Sequence, residues 1–366
     1  MSTARALVLE RPRALRLREL PLPEIADDDG LLRVEACGLC GTDHEEWSGL
    51  LAPGWAFVPG HESVGVIERV GAVAAERWGV QVGDRVAVEV FLSCRQCDDC
   101  LGGQYRRCAA HGLADMYGFV PVDRGSGLWG GYATHQYLAP DSLLLPVPAS
   151  LDPVTATLFN PVGAGIRWAV TVPGTKAGDV VAVLGPGIRG LSAVAALREA
   201  GAGFVLVTGA GERDRERLEL ARDFGADLVI DVTQEDPVRA LGAATGHLAD
   251  VVIDVTAKAP AALGQGVALA RAGGTLVMAG TRGSVETPGF DPDHVVYKEL
   301  RILGALGVDA TAYRAALDLL ASGRYPFGSL PTEVVGLDGA SDLLARMAGE
   351  GSPAPPVHGV VAAGVS

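Results

Sequence analysis

The chain has 366 residues, 48% hydrophobic and 20% charged, with 49 glycines and a formal charge of −14. That length favours two domains, each able to bury a core, and the acidic balance argues against nucleic acid or an anionic membrane as partner. No apolar run approaches the span of a bilayer, the N-terminal M-S-T-A-R-A-L-V-L-E turns polar too soon for a signal peptide, and the cytoplasm is the expected compartment.

Residues 4–92 read as short β segments (A-L-V-L, L-R-L-R-E-L, L-L-R-V-E-A-C, S-V-G-V-I-E-R-V-G, D-R-V-A-V-E-V) broken by Gly, Pro and Asp, which predicts a compact barrel-like fold. Two pieces inside it carry potential chemistry. In G-L-C-G-T-D-H-E-E-W (38–47), Cys40, Thr42 and Asp43 bring a thiol, a hydroxyl and a carboxylate together; in P-G-H-E-S-V-G (59–65), His61 and Glu62 are adjacent. Cysteine, histidine and carboxylate form a borderline-soft set that suits zinc, and three protein ligands leave room for water or substrate. Taken singly each piece is weak, since a lone Cys is more often a small buried hydrophobe. Cys37 is read that way, as a core residue, despite its spacing from Cys40. Trp47, Trp55, Met116, Tyr117 and Trp129 either line a substrate pocket or belong to the core.

The most specific chemical signal is C-R-Q-C-D-D-C-L-G-G-Q-Y-R-R-C, with Cys94, Cys97, Cys100 and Cys108 at spacings of two, two and seven intervening residues. Cys-x-x-Cys steps let thiolates converge on one tetrahedral ion, and a fourth ligand after a short loop closes the site. Four thiolates leave no open position, so a zinc held there is structural. Disulfides are the competing reading, but three cysteines this close cannot all pair locally without strain.

From residue 174 the pattern changes. The apolar run V-V-A-V-L precedes G-P-G-I-R-G (Gly185, Gly187, Ile188, Gly190) and a helix-period segment, the strand–turn–helix context of a dinucleotide fingerprint. Strands at 204–208, 227–232, 250–255, 274–280 and 301–306, with helices near 214–224, 236–245 and 260–271, predict a doubly wound parallel sheet. At the end of its second strand, Thr208 and Gly209 occupy the place where NAD enzymes carry a carboxylate for the ribose 2′-hydroxyl. Arg213 and Arg215 follow and suit a 2′-phosphate, although Glu212 could also reach a ribose. The balance favours NADP over NAD. Past residue 310, two helices flank a Pro/Gly break and lead to a last apolar strand, V-H-G-V-V-A-A.

In order along the chain, G-L-C-G-T-D (38–43), G-H-E-S-V-G-V-I (60–67), V-G-D-R-V (82–86), the Cys94–Cys108 lobe, G-G-Y-A (130–133) and the glycine-rich turn resemble the zinc-dependent medium-chain dehydrogenase/reductase family, of alcohol and polyol dehydrogenase type. The resemblance implies an α/β fold: a GroES-like β-barrel catalytic domain (1–155 and 310–366, with a zinc lobe at 93–109) and a Rossmann dinucleotide-binding domain (156–309). It implies a zinc-dependent, NAD(P)-linked alcohol dehydrogenase acting on a small secondary or polyol-like alcohol, as a homodimer or homotetramer. Carried over by position, Cys40 and His61 are catalytic-zinc ligands, Glu62 is a third or reserve ligand, Thr42 passes the substrate proton outward, and Asp43 orients His61. Two departures stand out. Glu45 fills the usual histidine slot, so the proton path ends on Glu45, His44 or water. Asn160 replaces the cysteine or carboxylate of relatives, which favours Cys40, His61, Glu62 and water around the metal. The rival readings are a zinc-free NADPH-dependent ketone or enone reductase of the same fold and a non-catalytic nucleotide-binding protein.

Overall fold

A computed structural model describes residues 2–51, 53–257, 259–282, 286–351 and 355–365. Contacts divide the chain into two compact units: residues 1–160 with 309–323 and 327–366, and residues 161–308 with 324–326.

The first unit opens on an antiparallel hairpin, β1 (Thr3–Arg11) and β2 (Ala14–Pro21). β3 (Gly30–Leu39), helix α1 (Gly41–Ser48), β4 (Glu62–Val70), α2 (Ala72–Trp78) and β5 (Arg85–Val88) follow. The cysteine lobe contributes one turn of helix, α3 (Asp98–Leu101), before β6 (His135–Leu138) and β7 (Leu144–Pro146) return to the sheet. The helices α4 (Pro153–Ala156) and α5 (Phe159–Ile166) come next.

The second unit alternates strand and helix: β8 (Val180–Leu184), α6 (Ile188–Glu199), β9 (Phe204–Gly209), α7 (Glu212–Asp223), β10 (Leu228–Asp231), α8 (Pro237–Thr245), β11 (Ala249–Asp254), α9 (Ala262–Leu269), β12 (Ala270–Met278), α10 (Pro292–Tyr297) and β13 (Arg301–Gly304). Its six strands are parallel, in the order β10-β9-β8-β11-β12-β13. The chain therefore winds outward from β8 in one direction and from β11 in the other, which puts the switch point of a doubly wound sheet between these two strands. Every residue of β8, V-V-A-V-L, is buried, as a strand covered on both faces requires.

The chain then rejoins the first unit through α11 (Ala310–Ala321), β14 (Thr332–Val335), α12 (Ala340–Met347) and β15 (His358–Val361). β15 lies between parallel β14 and antiparallel β3 in a seven-stranded sheet ordered β14-β15-β3-β4-β5-β7, with β6 also paired to β3. Three elements were not expected from the sequence: α1 and α2, among the strands of residues 4–92, and β14 before the final strand. α1 and α2 have only eight and seven residues, too few to establish a helical period, and β14 alternates exposed and half-buried residues over only four positions.

The lobe is fastened to the returning chain within this unit. The Tyr105 hydroxyl donates to Glu89 Oε2 (2.5 Å) and accepts from the Ala310 backbone N–H (2.6 Å), while Arg106 pairs with Asp309 at 3.5 Å. Asp309 in turn caps α11, accepting from the Ala312 N–H at 3.0 Å. Burial pushes the Glu89 carboxyl up to about 8, against the Tyr105 hydrogen bond that lowers it. Because the folded value lies above the unfolded one, near 4.5, the folded chain holds an extra proton between these limits. The Glu89 contribution to stability is thus complete at low pH and is lost as pH rises through about 8. Glu89→Gln, which cannot ionise, is expected to flatten this part of the profile. Relative to wild type, its melting temperature should gain more at pH 9 than at pH 5 in scanning calorimetry; a pH-independent difference would contradict the assignment.

Candidate active site

Where β3 ends, the backbone turns directly into α1, and the turn is closed by reciprocal hydrogen bonds. Cys40 is the N-cap: its Sγ accepts from the Thr42 N–H (3.3 Å), and the Asp43 carboxylate Oδ2 accepts from the Cys40 N–H (2.8 Å). This is a capping box with sulfur in the place of the usual hydroxyl. A helix N-terminus favours negative charge, and the Cys40 sulfur lies at that end of α1.

β4 pairs antiparallel with β3 and brings His61 and Glu62 to Cys40. His61 Nε2 lies 3.2 Å from Cys40 Sγ, and Glu62 sits opposite Gly38 in the strand register. A Cβ at Gly38 would collide with Glu62 Oε2, so glycine is needed for the carboxylate to lie over β3. The result is a buried group in which the ligand atoms of Cys40, His61 and Glu62 all fall within 4.8 Å of one another. Burial works against a proton on His61, but the neighbouring Cys40 thiolate and Asp43 carboxylate hold its pKa well above the usual value. Burial also raises Asp43, to about 6, with the positive charge of His61 opposing. The donor set, converging within 4.8 Å, suits zinc.

Asp43 Oδ1 stands 3.7 Å from His61 Nδ1, behind the ligating face of the ring. Thr42 is half-buried at the start of α1, beside half-buried His44 and buried Glu45. Asn160 is buried and donates through Nδ2 to the Tyr313 hydroxyl at 2.9 Å. The five aromatic and Met positions divide as follows. Trp47, Tyr117 and Trp129 belong to buried apolar clusters, Met116 packs against another, and Trp55 is exposed with its indole N–H on the Phe119 carbonyl. Cys37 is fully buried in the same cluster as Trp47, with the Ser63 hydroxyl 3.7 Å from its sulfur.

In the lobe, the sulfurs of Cys94, Cys97, Cys100 and Cys108 also lie within 4.8 Å of one another, and all six cysteines are free thiols. The Cys94–Cys100 sulfur distance of 3.8 Å far exceeds a disulfide bond. Burial alone would raise the Cys108 thiol, but backbone N–H groups of Cys94, Ala110 and His111 pull it down to about 6, and similar donors from Ala109 and Cys100 lower Cys97. Converging backbone dipoles of this kind prepare thiolates for a cation.

In the second unit the glycine-rich turn connects β8 to α6. Gly185 has φ +102, Gly187 is the N-cap of α6, Ile188 is its first residue, and a Cβ at Gly190 would run into the Gly185 carbonyl oxygen. The turn leaves open space at Gly187, where a pyrophosphate could approach the helix N-terminus. Buried Thr208 pairs with Leu184, and Gly209 with Asp231 of β10. A side chain at Gly209 would crowd Asp214 (2.9 Å) and Pro186 (3.0 Å), so no carboxylate fits there. Asp231, which was not singled out from the sequence, supplies one from the next strand and accepts from the Gly211 N–H at 2.9 Å. Arg215 is paired with Glu212 at 2.5 Å, whereas Arg213 is exposed and forms no ion pair among the described residues. At the switch point, Asp254 at the end of β11 binds the Thr256 hydroxyl and pairs with buried Arg282.

Comparison with known proteins agrees with this architecture. Residues 26–149 match the model of the alcohol dehydrogenase GroES-like domain, and residues 190–322 that of the zinc-binding dehydrogenases. A protein of Mycobacterium tuberculosis H37Rv named a probable alcohol dehydrogenase is 69% identical over 361 residues, 98% of each chain. The sorbitol dehydrogenase of Bacillus subtilis 168 is 31% identical, covering 93% of each chain. Among solved structures, a Sinorhizobium meliloti 1021 protein provisionally identified as a zinc-binding dehydrogenase, with NADP bound, superposes with a TM-score of 0.84 at 29% identity, over 99% of this chain and 100% of that one. Two family models in series and relatives aligned over nearly the whole length place the chain in the zinc-dependent medium-chain dehydrogenase/reductase family.

Proposed function

We propose that this protein is a zinc-dependent alcohol dehydrogenase that interconverts a secondary or polyol-like alcohol and its carbonyl with a nicotinamide dinucleotide. The observation that carries the reading is the buried convergence of Cys40, His61 and Glu62 on one point. Three ligands leave a coordination position for substrate, whereas the four-thiolate lobe leaves none. Zinc at the first site supplies a Lewis acid for the substrate oxygen, and the nicotinamide accepts or returns the hydride.

The chain's own residues supply the rest. Cys40 and Glu62 contribute two negative charges that balance a divalent cation, so the neutral amide of Asn160 is not needed as a ligand. Asp43 Oδ1 lies behind the His61 ring, 3.7 Å from Nδ1, while Nε2 faces Cys40. Thr42, two residues after Cys40, carries the substrate proton away, towards Glu45, His44 or water. The names of the sorbitol dehydrogenase above and of an erythritol/L-threitol dehydrogenase of Mycolicibacterium smegmatis, 31% identical, support a polyol-like substrate. For the cofactor, crowding at Gly209 and the exposed Arg213 support NADP, and the NADP-bound Sinorhizobium meliloti structure agrees.

Metal analysis of wild type is expected to find two zincs per chain, and Glu62→Ala to keep only the lobe's. Retention of two zincs in that variant would remove Glu62 from the ligand set. Chelation of the catalytic zinc should lower turnover by about a hundredfold or more, with recovery on adding zinc; full activity in the zinc-free chain would favour the ketone or enone reductase reading. Catalytic efficiency measured with both dinucleotides should favour NADP by about tenfold or more, and Arg213→Ala should erase most of that preference, as loss of a charge-assisted phosphate contact implies. A clear preference for NAD would point to Asp231 as the ribose partner.

A further inference from the structure

At the switch point of the second unit, one aspartate gathers the ends of neighbouring strands. The Asp254 carbonyl oxygen accepts from the Ala279 N–H (3.0 Å) and the Gly280 N–H (3.1 Å), which ties the end of β11 to the segment after β12. Its carboxylate is fully buried and uses both oxygens. Oδ1 accepts from the Thr256 N–H (3.0 Å) and hydroxyl (2.6 Å), and Oδ2 pairs with the Arg282 guanidinium. The Arg282 side chain is itself only 6% exposed and directs its remaining donors to backbone. Nη1 donates to the Gly280 carbonyl (3.2 Å) and Nε to the Ala259 carbonyl (3.3 Å), ahead of α9, while Nη2 also lies 3.4 Å from the Thr256 hydroxyl. One arginine thus links the segments that follow β11 and β12.

Thr256 carries this arrangement to the glycine-rich turn. A Cβ at Gly185 would lie 3.2 Å from Thr256 Cγ2, and a Cβ at Gly280 would run into the Thr256 carbonyl oxygen. The preceding Val255 N–H donates to the carbonyl of Leu184, the last residue of β8, at 3.1 Å. Thr256 is therefore packed between Gly280 and Gly185, where the turn takes φ +102. A buried ion pair is a weak source of stability, since apolar side chains of similar volume often serve as well or better. What this pair supplies is direction: its hydrogen bonds fix Thr256, Ala259 and Gly280 in a single arrangement. They do so where ligands of a doubly wound sheet bind, in the crevice outside the carboxyl ends of the strands.

We propose that Arg282 and Asp254 are positioning residues for the dinucleotide: together they hold Thr256 against Gly185, and this keeps the turn between β8 and α6 in the shape that a pyrophosphate meets. Both act through Thr256. The inference rests on the dinucleotide reading above and extends it from the turn to the pair behind it.

The test uses the full-length, zinc-loaded protein and reads the affinity for NADPH, NADH and ADP-ribose by titration calorimetry, with thermal melting of the dinucleotide-free chain alongside. The double variant Asp254→Leu/Arg282→Met replaces the pair by apolar side chains, so its melting temperature is expected to stay near that of wild type. Its affinity for whichever dinucleotide wild type binds more tightly is expected to fall by about tenfold. ADP-ribose, which carries the pyrophosphate and no nicotinamide, should lose affinity by the same factor. A double variant that melts like wild type and keeps wild-type affinity overturns the proposal. So does a loss confined to the whole dinucleotides with ADP-ribose unaffected, since the pyrophosphate turn would then be intact. If the double variant fails to fold or melts well below wild type, Arg282→Lys decides. A lysine keeps a charge opposite Asp254 but lacks the planar fork that reaches Asp254, Ala259 and Gly280 at once. Affinity reduced by about threefold or more, measured well below the melting temperature, supports the positioning role, and unchanged affinity overturns it. A wild-type chain that binds none of the three ligands overturns the dinucleotide reading along with this one, whereas wild-type binding with indifferent variants overturns only this one.

Discussion

The reciprocal hydrogen bonds between Cys40 and Asp43 are the constraint on which the candidate site depends. They decide where β3 stops and α1 starts, and in doing so they aim a sulfur at His61 and a carboxylate at the far side of the same ring. A capping interaction is ordinarily worth about 1 kcal/mol to a helix. Here its larger effect is geometric, because the two residues that satisfy the helix end also flank the imidazole, at 3.2 Å and 3.7 Å. The residues that start the helix are thus the ones that define one side of the candidate metal site.

Two supports make that arrangement rigid. The β3–β4 pairing fixes Glu62 opposite Gly38, and the absence of a side chain at Gly38 lets the carboxylate cross the strand. The lobe, α11 and Glu89 form a second brace, in which Tyr105 is at once donor and acceptor. Asn160 is held by Tyr313 of the same returning helix. In these contacts the residues that rejoin the first unit late in the chain reach both the lobe and the position that departs from the family pattern.

Much of this was legible in the sequence. Cysteine spacing gave the lobe, because metal geometry constrains sequence separation, and apolar runs bounded by glycine gave the doubly wound sheet, because buried parallel strands have few alternatives. The Cys40, His61 and Glu62 group was a weak signal until the resemblance joined its two pieces, since residues 40 and 61 meet by strand pairing rather than by proximity along the chain. The burial of Glu46 carried no signal: a glutamate in a short polar helix looks solvent-exposed until the helix is packed against the core. Asp231 was missed for a related reason. The acidic slot was sought on β9 alone, whereas Asp231 of the neighbouring β10 stands beside Gly209 through register.

The position of β15 has a consequence for biosynthesis. Its pairing joins Gly359 to Leu39, with the whole dinucleotide-binding unit intervening between them. Until that last strand leaves the ribosome, β3 keeps an open edge next to Cys40, while the second unit is already complete and free to fold. Closure of so distant a contact is entropically slow. The nascent first unit therefore waits with an unpaired strand and reactive thiols exposed, and a strand edge in that state is open to pairing with other chains. Early filling of the cysteine lobe by metal, which needs only residues 94–108, would hold those thiols out of wrong partnerships during the wait.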